Sequence, residues 1–138
     1  MRRVLVDTGP LVALCDPRDG LHARALAEVG ALRVPRLVCL PVLTEAVHLL
    51  AAGPQRTRLG EAFSRGLFEL ANPPGGERVA QRAMAWLEAW GEHDPDLADA
   101  YLVAWSELDA ELRVWTFDRE LRGVWRTSKG RRVPLAPA

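Results

Sequence analysis

Cysteine is scarce, long apolar runs are missing, and neither sign of charge is in excess. Each of these removes a class of protein. The two cysteines in 138 residues, Cys15 and Cys39, are too few for a disulfide framework. Both fit small apolar positions, so a reducing, cytoplasmic setting is expected. No stretch approaches the ~20 uninterrupted apolar residues that a membrane helix needs. Arg2 and Arg3 run straight into an apolar stretch that ends at Asp7, a strand pattern rather than a signal peptide. The three histidines, His22, His48 and His93, have no zinc-ligand spacing with the cysteines. Lysine plus arginine and aspartate plus glutamate each total 18, so the formal net charge is zero, which weighs against a surface that is basic all over. No repeat, linker or low-complexity tract divides the chain. Residues 1–138 are therefore expected to form one domain, large enough to bury a real core.

The rest is ordinary for a globular protein, with 49% apolar and 26% charged residues. Val4-Leu5-Val6 read as a strand buried on both faces, stopped by Asp7 and the turn-forming Gly9-Pro10. Asp19 is placed to cap a helix from Leu21 to about Leu32, with Leu21, Ala25, Leu26, Val29 and Leu32 at helical spacing. Arg36–Leu40 is a second strand, and Pro41 suits the first turn of the helix that follows. Gln55–Arg65 is another helix, ended by Gly66, and Leu67–Leu70 a third strand. Asn72–Gly76 is a loop. Glu77–Trp90 is a helix, with Trp86 and Trp90 spaced for packing on one face. Asp94 and Pro95 read as N-cap and first residue of the next helix, which reaches about Ala110. Leu112–Phe117 is a fourth strand, Arg119–Val124 a short helix, and Val133–Leu135 a last edge strand. Strands alternating with helices predict an α/β fold with a mainly parallel sheet covered on both faces.

Carboxylates stand where apolar residues would be expected. Asp7 ends the first strand, and Asp118 follows the fourth. Glu45 lies in a helix otherwise rich in Leu, Val and Ala. Asp99 follows Asp96 by three residues, on nearly the same helix face. Taken singly, each has a plain structural explanation as a cap, a turn or a solvent-facing residue. Brought together they would repel and raise one another's pKa. A hard divalent cation, Mg²⁺ or Mn²⁺, removes that conflict, and such a site can activate water against a phosphodiester. The basic cluster Arg126-Thr127-Ser128-Lys129-Gly130-Arg131-Arg132, with Arg119 and Arg122, is a candidate phosphate-binding strip beside it.

The segments Asp7-Thr8-Gly9-Pro10-Leu11-Val12-Ala13-Leu14, Leu43-Thr44-Glu45-Ala46-Val47, Asp96-Leu97-Ala98-Asp99-Ala100 and Thr116-Phe117-Asp118-Arg119 resemble the PIN domain. More narrowly they resemble the small toxin ribonucleases of VapC type, in order and across essentially the whole chain. The resemblance implies a three-layer α/β/α fold with a central parallel sheet and a metal-dependent endoribonuclease. It puts the acidic ligands on Asp7, Glu45, Asp99 and Asp118, and supporting residues on Thr8, Asp96 and Thr116. It also implies a homodimer and a small antitoxin partner that occludes the acidic cleft. The chain departs from the family after Asp118, where Arg119-Glu120-Leu121-Arg122 replaces a common second acid and a Phe, leaving Glu120 as a minor candidate.

On this reading Asp7, Asp99 and Asp118 hold the metal, and Glu45 holds it or positions water for attack on RNA. Three alternatives stand beside it. A phosphatase using an aspartyl-phosphate would need an acid two residues after Asp7, where Gly9 stands. A DNA nuclease would use the same metal chemistry. A non-catalytic RNA- or protein-binding regulator would keep the acidic cleft idle.

Overall fold

The computed structural model describes residues 1–73 and 75–137. The all-apolar run Val4-Leu5-Val6 has no polar face, so it must be covered on both sides. It forms β1 (Arg3–Val6), with all three residues fully buried. β2 (Arg36–Val38) and then β3 (Glu69–Leu70) lie on one side of it. β4 (Leu112–Trp115) and then β5 (Leu135–Ala136) lie on the other. The sheet order is β3-β2-β1-β4-β5, and every pairing is parallel.

Parallel neighbours need crossovers, and among the described residues seven helices supply them: α1 (Thr8–Cys15), α2 (His22–Ala31), α3 (Leu40–Leu49), α4 (Pro54–Ser64), α5 (Glu77–Ala89), α6 (Leu97–Leu108) and α7 (Arg119–Gly123). The chain first steps outward from β1 to β3, then returns past β1 to β4. Right-handed crossovers therefore put α1–α4 on one face and α5–α7 on the other. The contacts agree, with α1 packed on α2, α3 and α4, and α5 packed on α6. The result is the expected three-layer α/β/α arrangement. The strand order reverses between β1 and β4, and the crevice at their carboxyl ends is where such a sheet binds ligands.

Several local expectations need correction. In α2 the helical spacing is right, but Leu21 and Leu26 are 41% and 52% exposed. The helix packs chiefly on α1, so its contact stripe is narrow, and Ala25 is its one buried residue. Asp19 does not cap α2. Its carboxylate accepts from the Leu21 amide at 2.8 Å within the preceding turn, and Leu21 takes the cap position. Asp94 does not cap α6 either. It closes the 3₁₀ turn Gly91–His93 in a left-handed conformation (φ 50°), and Asp96 is the N-cap. Asp96 wins because Asp99 stands three residues on and completes a reciprocal capping box. Leu97, the first residue of α6, is 44% exposed.

The strands are shorter than expected. β2 stops at Val38, because Cys39 caps α3 and Pro41 lies in its first turn. β3 keeps only Glu69–Leu70, and β5 falls on Leu135–Ala136. β4 ends at Trp115, so Thr116 and Phe117 lead out of the sheet. Pro74, in the expected Asn72–Gly76 loop, lies outside the described residues. Trp86 and Trp90 do pack inward: they stack at 5.9 Å, and Trp125 meets both edge-on.

Chemical denaturation checks this account of the core. Leu5→Ala, at the centre of the sheet, is expected to cost about 2–5 kcal/mol. Leu26→Ala, on the helical pattern but exposed, is expected to stay within about 0.5 kcal/mol of the parent.

Candidate active site

The site is built from the residues that leave β1 and β4. Asp7 directly follows β1, and its amide donates to Trp115 O at 2.9 Å. Its Oδ1 caps α1 by accepting from the Thr8 amide at 2.7 Å. Its Oδ2 accepts from Thr116 Oγ1 at 2.6 Å. The same hydroxyl accepts from the Asp118 amide at 2.9 Å, and Asp118 Oδ1 caps α7 through the Glu120 amide at 2.8 Å. From α3, in the same helical layer as α1, Glu45 takes a 3.1 Å hydrogen bond from Thr8 Oγ1 onto its Oε2. Asp96 Oδ1 accepts from the Asp99 amide at 2.8 Å, and Asp99 Oδ2 accepts from the Asp96 amide at 3.2 Å.

These groups line one cavity of about 310 Å³, formed by Asp7, Thr8, Gly9, Glu45, Leu49, Asp96, Asp99, Phe117 and Asp118. Every acid named from the sequence as a principal or supporting site residue is therefore brought to one place. Thr116 supports it from beneath, fully buried. Glu120 is exposed and does not line the cavity. His48 faces a neighbouring cleft of about 1060 Å³ that shares Glu45 and Asp96 with the acidic cavity.

The charge is uncompensated. None of the five carboxylates makes an ion pair among the described residues. Burial, with added repulsion from Asp118 and Glu45, raises Asp7 to about 6 against the opposing hydrogen bonds from Thr116 and Thr8. Burial and the adjacent Asp96 raise Asp99 to about 8. Glu45 is raised by burial and then by Asp96 and Asp118. Among the described residues no three such side chains are placed to grip one ion together. Asp7, Asp96, Asp99 and Asp118 each commit at least one oxygen to a backbone amide. Coordination would need some of these side chains to rotate. The chemistry of the donor set nonetheless suits a hard cation, being all oxygen and in excess of negative charge.

The basic strip lies outside the cavity. Arg122 Nη1 donates to Thr116 O at 3.1 Å, behind the acids. Arg126–Arg132 forms a turn closed by an antiparallel bridge and pinned to α6 through Ser128 and Glu107. Arg119, Lys129, Arg131 and Arg132 are exposed. Sequence reasoning missed Gly9, Leu49 and Phe117 as lining residues. For Phe117 the signal was its place between Thr116 and Asp118.

No family model matches the chain, and no curated protein does. Solved structures do match its fold. VapC20 of Mycobacterium tuberculosis, described as a sarcin-ricin loop cleaving toxin, superposes with a TM-score of 0.69 at 19% identity, over 83% of this chain and 89% of that one. A toxin–antitoxin complex from Klebsiella pneumoniae gives 0.64 at 23% identity, over 88% and 92%. At these identities the likeness establishes the shared fold.

The raised carboxyls predict a particular pH dependence. Folding favours the protonated form of a group whose pKa it raises. Asp7 therefore contributes its stability fully below its ordinary value of 3.8 and loses it as pH rises through about 6. Protein without divalent cation should lose stability between about pH 4 and 8. Asp7→Asn should be more stable than the parent at pH 8 by on the order of 1–2 kcal/mol, and no more stable at pH 4. Thermal melts across that range, in chelator, check both.

Proposed function

We propose that this protein is a metal-dependent endoribonuclease that hydrolyses RNA phosphodiester bonds as the toxin of a toxin–antitoxin pair. One observation carries the proposal: five carboxylates, without an ion-pair partner among the described residues, line one cavity at the switch point of a parallel sheet. Asp7, Glu45, Asp99 and Asp118 are the proposed ligands of Mg²⁺ or Mn²⁺. The bound cation would supply Lewis acidity and a water of lowered pKa.

The chain's own residues have separable roles. Thr116 holds Asp7 through Oδ2, and Thr8 holds Glu45 through Oε2. Asp96 fixes the start of α6 and with it Asp99. With Oε2 engaged by Thr8, Glu45 Oε1 is the oxygen left to hold the cation or position the attacking water. Arg119, Arg122, Arg126, Lys129, Arg131 and Arg132 are the proposed contacts to the phosphate backbone along α7 and the turn after it.

The fold shared with VapC20, described as a sarcin-ricin loop cleaving toxin, supports RNA as substrate. The fold shared with a toxin–antitoxin complex supports a cognate antitoxin as partner. Leu40 and Leu97, exposed beside the larger cleft, favour self-association as a homodimer.

Cleavage of a structured RNA and a matched DNA by the purified protein tests the proposal. RNA should be cut with Mg²⁺ or Mn²⁺ and left intact in EDTA. Asp7→Asn and Asp99→Asn should each lower the rate by at least about a hundredfold, and Thr116→Val by about 10–100-fold. DNA cut as fast as RNA would shift the substrate class. No cutting by folded protein free of inhibitor would favour the idle-cleft regulator.

A further inference from the structure

Phe117 lines the acidic cavity. The guanidinium of Arg24, in the first turn of α2, lies over its ring with Cζ 4.5 Å from the centroid. Arg24 Nε donates to Glu28 Oε2 at 3.0 Å. Its two terminal nitrogens donate no hydrogen bond among the described residues, and it pairs with none of the cavity acids. The side chain is about half exposed, at 48%. An (i, i+4) surface pair such as Arg24–Glu28 adds little stability by itself. The cation–π contact with Phe117 does something else, because it holds the guanidinium against a residue that lines the site.

An anionic strand meets a paradox here. Its scissile phosphate must enter a cavity lined by five carboxylates, whose charge one divalent cation would only partly offset, so further positive charge at the rim helps to draw the strand in. Arg122 stands on the α7 side, with one terminal nitrogen tied to Thr116 O. Arg24 stands on the α2 side, with both terminal nitrogens available. A planar guanidinium held in this way is prepared for a two-bond grip on phosphate, which an ammonium cannot reproduce.

We infer that Arg24, seated on Phe117, clamps the phosphodiester next to the one that is cleaved. The clamp reads backbone charge and not base identity. This deepens the nuclease reading and rests on it.

Steady-state cleavage and salt-dependent RNA binding by the full-length protein test the clamp, using the parent, Arg24→Ala, Arg24→Lys and Arg65→Ala. Arg65 is exposed at the end of α4, where the chain enters the start of the strands, away from the acids. Arg24→Ala should raise KM about tenfold with kcat within about twofold, the loss of one charge-assisted contact. Its plot of log affinity against log salt should be shallower by about 0.7–0.9, one phosphate contact. Arg24→Lys should keep the salt slope but recover only part of KM. Arg65→Ala should match the parent in both. Unchanged KM and salt slope in Arg24→Ala, with a parent that cuts RNA, would overturn the clamp and leave the nuclease reading standing. A loss confined to kcat would also overturn it. A parent that binds RNA without cutting it overturns the nuclease reading instead, and the salt slope alone then decides Arg24.

Discussion

A single buried hydroxyl joins the two strands that carry the site. Thr116 Oγ1 donates to Asp7 and accepts from the Asp118 amide, at 2.6 and 2.9 Å. The bridge follows from strand register. β1 and β4 are parallel neighbours with Val6 opposite Trp115, so the next residues, Asp7 and Thr116, also face each other as the chain leaves the sheet. A slip of one residue would turn Thr116 away from Asp7 and separate the acids. The buried apolar pattern of both strands fixes that register. The core therefore sets the geometry of the cavity, and the cavity residues need add little to hold it.

The same carboxylates serve two purposes. Asp7 caps α1, Asp96 caps α6 and Asp118 caps α7. Three helix N-termini are thereby aimed at one cavity, and their partial positive charge offsets part of the repulsion among the acids. A reading of each residue as a cap and a reading of the set as a site are not rivals here. The caps are the means by which the acids converge. Each cap also holds at the cavity a carboxylate that would otherwise sample several rotamers, and gripping one ion would need some of these caps to be released.

Much of this was readable from sequence because it depends on local pattern. Asp7 after an apolar run and Asp118 after another mark the ends of buried strands whatever the tertiary packing. The pairing of Asp96 with Asp99 is a local signal too, and the reciprocal box is what displaces Asp94 as the cap. Other features depend on contacts distant in sequence. Periodicity alone placed Leu21 and Leu26 at helical spacing but could not show that α2 lies at the periphery and leaves both exposed. Phe117 and Arg24 are 93 residues apart, and only the approach of α2 to the end of β4 brings them together. The Arg126–Arg132 cluster read as a candidate phosphate-binding strip, whereas its shape as an ordered turn depends on Glu107 from α6.

Glu45 separates the functional account from the structural one. Asparagine or serine caps a helix about as well as aspartate does. Capping alone therefore asks for oxygen at Asp7, Asp96 and Asp118, not for charge. Charge is the costly part, since burial and mutual repulsion hold Asp7 at about 6 and Asp99 at about 8. A chain using these residues only as caps would be more stable without the acids. Glu45 has no capping role at all. It lies in the body of α3, its own pKa is raised, and Thr8 holds it against the same cavity. A carboxylate that caps nothing, yet is held beside four others, is the residue that capping leaves unexplained and that the proposed cation would account for.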